Sequence, residues 1–154
     1  MSELLFHPTT QASLQRCINR PPHAMLLVAP AGSGKASTAR YLAAGILALD
    51  KAGYEKYPYI TVISPKDGKA IPIESIRELQ HFMALRIPGQ RDVGRLVIIE
   101  DAQLMTREAQ NALLKTLEEP PEGTVLILTA TSTEALLPTI QSRVSLLQLV
   151  PPAP

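Results

Sequence analysis

Residues 96–143 decide the fold of this chain, and they read LVIIEDAQLMTREAQNALLKTLEEPPEGTVLILTATSTEALLPTIQSR. They contain an apolar run that ends in two acids, a helical stretch closed by a double proline, a second apolar run and a Ser-Arg pair. Upstream, MLLVA at residues 25–29 is typical of a central parallel strand that is buried on both faces. Strands that alternate with helices in this way predict an α/β fold.

The remaining elements follow from the same periodicities and from capping residues. Strands are predicted at residues 25–29, 59–64, 96–99, 125–130 and 145–150, and helices at residues 35–49, 72–87 and 106–119, the last with Thr106 as N-cap. We therefore expect a five-stranded parallel sheet with helices on both faces. Ligands of such sheets bind beyond the carboxyl ends of the strands, and all of the candidate polar residues are expected there.

The composition indicates one domain with a substantial core, because the chain has 154 residues, of which 45% are apolar and 19% charged. We expect this domain at residues 1–150, and the start of a linker or a cut end at residues 151–154. The net charge of +1 does not predict direct DNA contact, and the single cysteine, Cys17, excludes a disulfide and a multi-cysteine zinc site. Neither a signal peptide nor a membrane span is recognised, so a cytoplasmic protein without a membrane partner is expected.

A glycine-rich loop follows the first predicted strand and reads Ala29-Pro30-Ala31-Gly32-Ser33-Gly34-Lys35-Ala36. A P-loop, G-x-x-x-x-G-K-[ST], binds phosphate through backbone N–H groups, its lysine and the helix N-terminus, and its hydroxyl holds magnesium. Here Gly34 and Lys35 are retained, whereas Ala29 replaces the first glycine and Ala36 replaces the hydroxyl residue. The predicted nucleotide-binding residues are Pro30, Ala31, Gly32, Ser33, Gly34, Lys35, Ala36 and Ser37.

Ala36 affects the predicted binding of magnesium but not the predicted binding of ATP. A methyl group cannot coordinate the ion, and Ser37 and Thr38 point about 100° and about 200° further around the helix. ATP is therefore the predicted ligand, and magnesium and hydrolysis are the weaker part of the prediction. The alternative is a glycine-rich strand-to-helix turn with a solvated lysine.

Two acids, Glu100 and Asp101, end the strand at residues 96–99. In a P-loop ATPase one acid here orients the water around magnesium and a second polarises the attacking water. The usual order is Asp then Glu, and this chain has the reverse. Since catalysis is sensitive to displacements of about 1 Å, nucleotide binding can survive this exchange while hydrolysis fails. The alternative is a strand end that is capped by solvated acids.

Two further candidates follow later in the chain. Thr131, with Ser132 beside it, ends the strand at residues 125–130 and is placed to contact a γ-phosphate or the attacking water. Arg143 stands just before the last strand and is a candidate arginine finger, a cation offered to the phosphates of a neighbouring subunit. The alternatives are a plain pair of strand-end hydroxyls and an ordinary surface arginine.

Four segments resemble the AAA+ clamp-loader ATPases of bacterial DNA polymerase III, with the delta-prime subunits closest and gamma/tau next. They are PHAML at 22–26, IESIREL at 73–79, NALLKTLEEPP at 111–121 and LPTIQSR at 137–143, where Val144 replaces the cysteine that follows in the family. The resemblance implies a P-loop NTPase domain of the AAA+ type. It further implies that Lys35 binds phosphate, Thr131 is the sensor, Arg143 is a finger acting in trans, and Glu100 and Asp101 form the acidic motif.

The resemblance also implies a role in ATP-dependent loading of the sliding clamp onto DNA. The partners would be gamma/tau and delta subunits, with the clamp and primer-template DNA contacted through the assembled complex. A degraded loop is more like delta prime, which implies that the chain's own ATPase activity is weak or absent. An active gamma/tau-like ATPase and a nucleotide-free P-loop scaffold are the alternatives.

Three departures from the family pattern accompany the resemblance. The cysteine-rich zinc module is absent between Asp50 and Tyr59, so no zinc is expected. Ala36 lacks the hydroxyl for magnesium. The lid and collar domains of the family do not follow residue 150, which favours a fragment over an unusually reduced homologue.

Overall fold

Five parallel strands form one sheet in the order β2-β3-β4-β1-β5. The computed structural model describes residues 6–89 and 91–149. The strands are β1 (Ala24–Val28), β2 (Ile60–Ile63), β3 (Arg95–Ile99), β4 (Thr124–Ala130) and β5 (Ser145–Gln148). The helices are α1 (Pro8–Asn19), α2 (Lys35–Leu47), α3 (Lys51–Lys56), α4 (Ile73–Met83), α5 (Arg107–Glu118) and α6 (Pro138–Gln141).

The predicted fold class is confirmed, and the predicted strands and longer helices are found with small shifts at their ends. Thr106 is the N-cap of α5, since its Oγ accepts a hydrogen bond from the Ala109 N–H at 3.0 Å. The fifth strand ends at Gln148, before its predicted end, and Val150 and residues 151–154 lie outside the described residues. Three helices were not predicted: α1, α3 and α6.

The core has two halves, one on each face of the sheet, because alternate residues of a strand point to opposite faces. Val97 and Ile99 of β3 join the cluster under α4 and α5, whereas Leu96 and Ile98 join the cluster under α1 and α2. Every residue of β1, β3 and β4 is buried. The double burial explains why these strands read as continuous apolar runs, and it fixes the loops at their carboxyl ends on a rigid base.

Arg95 begins β3 and is a buried arginine, with 3% of its surface exposed. Its guanidinium donates hydrogen bonds to the Met83 carbonyl at 2.7 Å, to the Thr124 hydroxyl at 3.2 Å and to the Leu85 carbonyl. The carbonyls lie at the C-terminal end of α4, where a cation also compensates the helix dipole. The guanidinium carbon lies 5.6 Å from the ring centre of Phe82. Burial lowers the pKa of Arg95 from its usual value. The three hydrogen bonds connect the end of α4 to strands β3 and β4 of the sheet.

Candidate functional site

The loop between β1 and α2 has the backbone shape of a phosphate-binding loop. Gly32 and Gly34 have φ values of 78° and 84°, in the left-handed region that glycine adopts without strain. A Cβ built on either glycine meets no atom within 4 Å, so the backbone angle is what requires glycine there. The N-terminus of the 13-residue helix α2 opens directly after this loop. The loop therefore leaves room for a ligand in front of a helix N-terminus.

Lys35, the first residue of α2, lies across this loop and is only 8% exposed. Its Nζ donates a hydrogen bond to the Pro30 carbonyl at 3.2 Å. The same carbonyl accepts from the Ser33 backbone N–H at 3.2 Å and from the Ser33 hydroxyl. The lysine is thus held in the loop, and the solvated lysine of the alternative interpretation is not found.

The start of α2 carries no hydroxyl at the position where a P-loop holds magnesium. Ala36 is there, and the Oγ1 of Thr38, which is 2% exposed, donates back to the Gly34 carbonyl at 2.9 Å. Magnesium prefers oxygen ligands in near-octahedral geometry. The Ala36 side chain offers no oxygen, and the Thr38 hydroxyl is bonded within its own helix. This part of the loop therefore fits phosphate but does not fit the ion.

Glu100 and Asp101 are engaged in different contacts at the end of β3. Glu100 pairs with Arg40 of α2, with 3.5 Å between Oε2 and Nη2, and its side chain is 17% exposed. Asp101 has a left-handed backbone, φ 51°, and donates its N–H to the Thr129 hydroxyl at 3.0 Å. Sequence reasoning missed both partners. The only signal for the first was an isolated arginine five residues after the P-loop lysine.

The charges of the Arg40–Glu100 pair affect the pKa of Tyr54 in α3. Burial raises the pKa of Tyr54, the positive charge of Arg40 lowers it, and the negative charge of Glu100 raises it. Tyr54 belongs to α3, a helix that was not predicted, so the effect of this pair on its pKa was not predicted either.

Thr131 lies between the loop and the acids, because β4 lies between β1 and β3 in the sheet. The Ala29 N–H donates to the Ala130 carbonyl at 3.2 Å, so the end of β4 is fastened to the start of the loop. Thr131 is the next residue and is exposed. The structure therefore brings together the loop, the acids and Thr131 at the carboxyl edge of the sheet.

Arg143 lies at the opposite side of the sheet, beside the amino-terminal ends of the strands. The expectation that every candidate polar residue lies at the carboxyl ends is therefore wrong for Arg143. The residue precedes β5 instead of following a strand, and Ser145 of β5 is in register with Met25 near the start of β1. The five-residue length of β1, about 16 Å, therefore separates the level of Arg143 from that of the phosphate loop. Arg143 cannot act on the phosphate loop of its own chain.

Three groups hold the Arg143 side chain, which is 35% exposed. Its Nη2 is 3.1 Å from the Glu118 Oε1 at the end of α5. Its Nη1 donates to the Thr139 carbonyl at 2.8 Å and to the Ser142 hydroxyl at 3.2 Å. The arginine is thus supported by the ends of α5 and α6 while part of it faces solvent.

Two features of other classes of protein are not found in the described part of the chain. Within residues 6–89 and 91–149, no group of three or more His, Cys, Asp or Glu side chains is arranged to hold a metal ion. None of the helices in the same residues is both long and apolar enough to span a membrane.

Sequence comparison finds relatives along almost the whole chain. The sequence model of the family described as DNA polymerase III, delta subunit, matches residues 7–153. The DNA polymerase III subunit delta' of Pseudomonas aeruginosa is 37% identical over an alignment of 136 positions that covers 79% of this chain and 41% of the relative. The gamma/tau subunit of Mycobacterium tuberculosis is 32% identical over an alignment of 156 positions that covers 89% of this chain and 26% of the relative.

Structural comparison agrees with the sequence comparison. A DNA polymerase III gamma subunit-related protein of Thermotoga maritima superimposes with a TM-score of 0.77 at 29% identity, covering 94% of this chain and 46% of that protein. The chain thus spans less than half the length of these relatives. The resemblance drawn from the sequence motifs is confirmed, and so is the P-loop NTPase fold. This chain belongs to the DNA polymerase III, delta subunit, family of AAA+ clamp-loader proteins.

Proposed function

We propose that this chain is the nucleotide-binding-type domain of a delta-prime-like clamp-loader subunit, which presents Arg143 to the ATP site of a neighbouring subunit. The observation that carries the proposal is the position of Arg143. It is held by Glu118 and Thr139 at the edge of the sheet opposite its own phosphate loop, and about a third of it is exposed. An arginine so placed is out of reach of its own phosphate loop, which supports a role at a site on another molecule.

The chain's own nucleotide site is degenerate under this proposal. Ala36 offers no hydroxyl, the acids stand in reversed order, and Arg40 engages the carboxylate of Glu100. Phosphoryl transfer depends on positioning and on charge stabilisation, which these changes weaken. ATP hydrolysis by this chain is therefore weak or absent, and Lys35 with the glycine loop retains the means to bind phosphate.

The partners follow from the same proposal. Gamma/tau and delta subunits are the neighbours, and the sliding clamp and primer-template DNA are met through the assembled complex. The net charge of +1 is consistent with contact to DNA through the assembly more than through this domain alone. The chain covers 41% of the delta' relative and 26% of the gamma/tau relative, and the proposal assigns lid and collar domains to the rest of such a subunit.

The proposal is tested by measuring the ATPase activity of a partner gamma/tau subunit after addition of the full-length subunit that contains this chain. We expect stimulation by the native protein and none by Arg143→Ala. Equal stimulation by the two proteins contradicts the role of Arg143.

A second candidate function is that of an active gamma/tau-like ATPase. It is favoured by the left-handed Gly32 and Gly34, the retained Lys35 and the similarity to a gamma/tau subunit. Steady hydrolysis of ATP by the isolated chain, abolished by Lys35→Ala, would favour this second function over the first.

Glu118 supports Arg143 without being essential to it, because their ion pair is exposed and such pairs contribute at most about 1 kcal/mol. We expect Glu118→Gln to lower the stimulation of the partner's ATPase by no more than about fivefold, since the Thr139 carbonyl still accepts from Arg143. Glu119→Gln, the neighbouring exposed acid, is the matched control and leaves stimulation unchanged. A loss as large as that of Arg143→Ala would mean that Glu118 itself is required.

A further inference from the structure

The nucleotide site of this chain keeps its phosphate-binding groups but lacks the hydroxyl that binds magnesium. The parts that bind phosphate are intact, because Gly32 and Gly34 keep the loop open and Lys35 is buried within it. The helix that follows is 13 residues long, so its N-terminus supplies free N–H groups and positive potential. Backbone N–H groups, a lysine and a helix N-terminus are the groups with which a P-loop contacts phosphate.

Two contacts show that the parts that would receive magnesium are changed or already engaged. At Ala36 there is a methyl group, and the nearby Thr38 hydroxyl is bonded within its own helix, to Gly34 at 2.9 Å. The carboxylate of Glu100, the strand-end acid that follows β3, is 3.5 Å from the Arg40 guanidinium. An ion here would have no hydroxyl ligand from the loop, and it would compete with a guanidinium for the acid.

The Arg40–Glu100 pair also reduces the repulsion between the Glu100 carboxylate and a bound triphosphate. A nucleoside triphosphate brings several negative charges to an edge of the sheet that already carries Glu100, and like charges at short range repel. In a magnesium-dependent site the ion compensates this repulsion. Here a positive charge is built into α2, and the Glu100 side chain is partly shielded from solvent, at 17% exposure against 46% for Arg40. Such a partly exposed pair contributes little to stability, so its effect is expected in binding more than in folding.

We infer that this phosphate loop binds a nucleoside triphosphate without a magnesium requirement, with Arg40 instead of the ion compensating the carboxylate of Glu100. The inference goes beyond the proposed assembly role, because it concerns the chain's own ligand and does not depend on Arg143. It gives a use for the glycine loop and Lys35 in a chain that lacks the magnesium hydroxyl. It also predicts a bound, unhydrolysed nucleotide.

The test is calorimetric titration of the full chain with ATP, once with excess magnesium and once with excess EDTA at the same ionic strength. We expect dissociation constants that agree within about threefold, a difference of less than about 0.7 kcal/mol in binding free energy. Lys35→Ala abolishes binding in both conditions. Binding at least tenfold tighter with magnesium, or no saturable binding in EDTA, overturns the inference.

A variant isolates the role of Arg40. We expect Arg40→Ala to weaken binding in EDTA by about tenfold and magnesium to restore most of the loss, because the freed carboxylate then needs another cation. Arg77→Ala, an exposed arginine of α4 on the other face of the sheet, is the matched control and keeps the native ratio. An unchanged ratio in Arg40→Ala contradicts the assigned role. The proposed function is tested separately, by the effect of Arg143→Ala on the ATPase activity of a partner subunit. The outcome of that assay does not depend on whether this chain binds ATP without magnesium, so the two proposals can fail independently.

Discussion

Replacing Arg143 with alanine is expected to lower the ATPase rate at the neighbouring subunit's site by about a thousandfold. An arginine finger stabilises charge on the transferring phosphoryl group, and the guanidinium of Arg143 is held at an exposed edge by Glu118 and by the Thr139 carbonyl. Alanine removes the charge and leaves the rest of the fold intact, because the side chain is not part of the core. The measurement is steady-state ATP hydrolysis by a reconstituted loader in the presence of clamp and primed DNA.

Lys35→Ala is the comparison that gives this result its meaning. If the chain acts through its finger and not through its own hydrolysis, removing the buried loop lysine leaves the loader's activity almost unchanged. Similar losses from Lys35→Ala and Arg143→Ala would contradict that order of importance. Arg143→Lys should recover part of the rate at most, since an ammonium keeps the charge but loses the two-pronged hydrogen bonding of a guanidinium.

The strands and the loop were predictable because their signals are local. A strand buried on both faces must be apolar at every position, and MLLV and LVII can be recognised without any knowledge of their neighbours in the sheet. The cap at Thr106 and the turn before Lys35 depend likewise on a few consecutive residues. Even so, the sequence PTTQASLQRCIN of α1 was missed, because only Thr10 and Leu14 of it are buried and its apolar stripe is weak.

The contacts that define the candidate site were less predictable, because they join residues far apart in sequence. Arg40 and Glu100 are 60 positions apart, and no periodicity of either segment indicates that they meet. Arg143 lies at the amino-terminal ends of the strands because β5 pairs with β1 in parallel. A prediction of the strands alone does not say which strands pair or in which direction. Sequence reasoning gave the residue types for a phosphate site, whereas the topology decided which of them face it.

Arg95 is the clearest failure of local reasoning, and it leads to a second large effect. The predicted strand began at Leu96, the first residue of the apolar run, and charged residues are rarely buried completely. The structure includes Arg95 because its guanidinium donates to the Met83 and Leu85 carbonyls after α4 and to the Thr124 hydroxyl of β4. The partners are thus brought by two other elements of the fold.

We expect Arg95→Met to lower the free energy of unfolding by about 2–4 kcal/mol, measured by urea denaturation followed by circular dichroism. Methionine keeps the apolar stem beside Phe82, so most of the loss comes from carbonyl groups that are left without their donor at the end of α4. Arg86→Met, at an exposed arginine in the loop that follows α4, is the control and should change stability by less than about 0.5 kcal/mol. Equal changes in the two variants would mean that the buried guanidinium does not fasten α4 to the sheet. A selective loss in Arg95→Met would show that the sheet supporting the phosphate loop depends on a buried cation at its opposite edge.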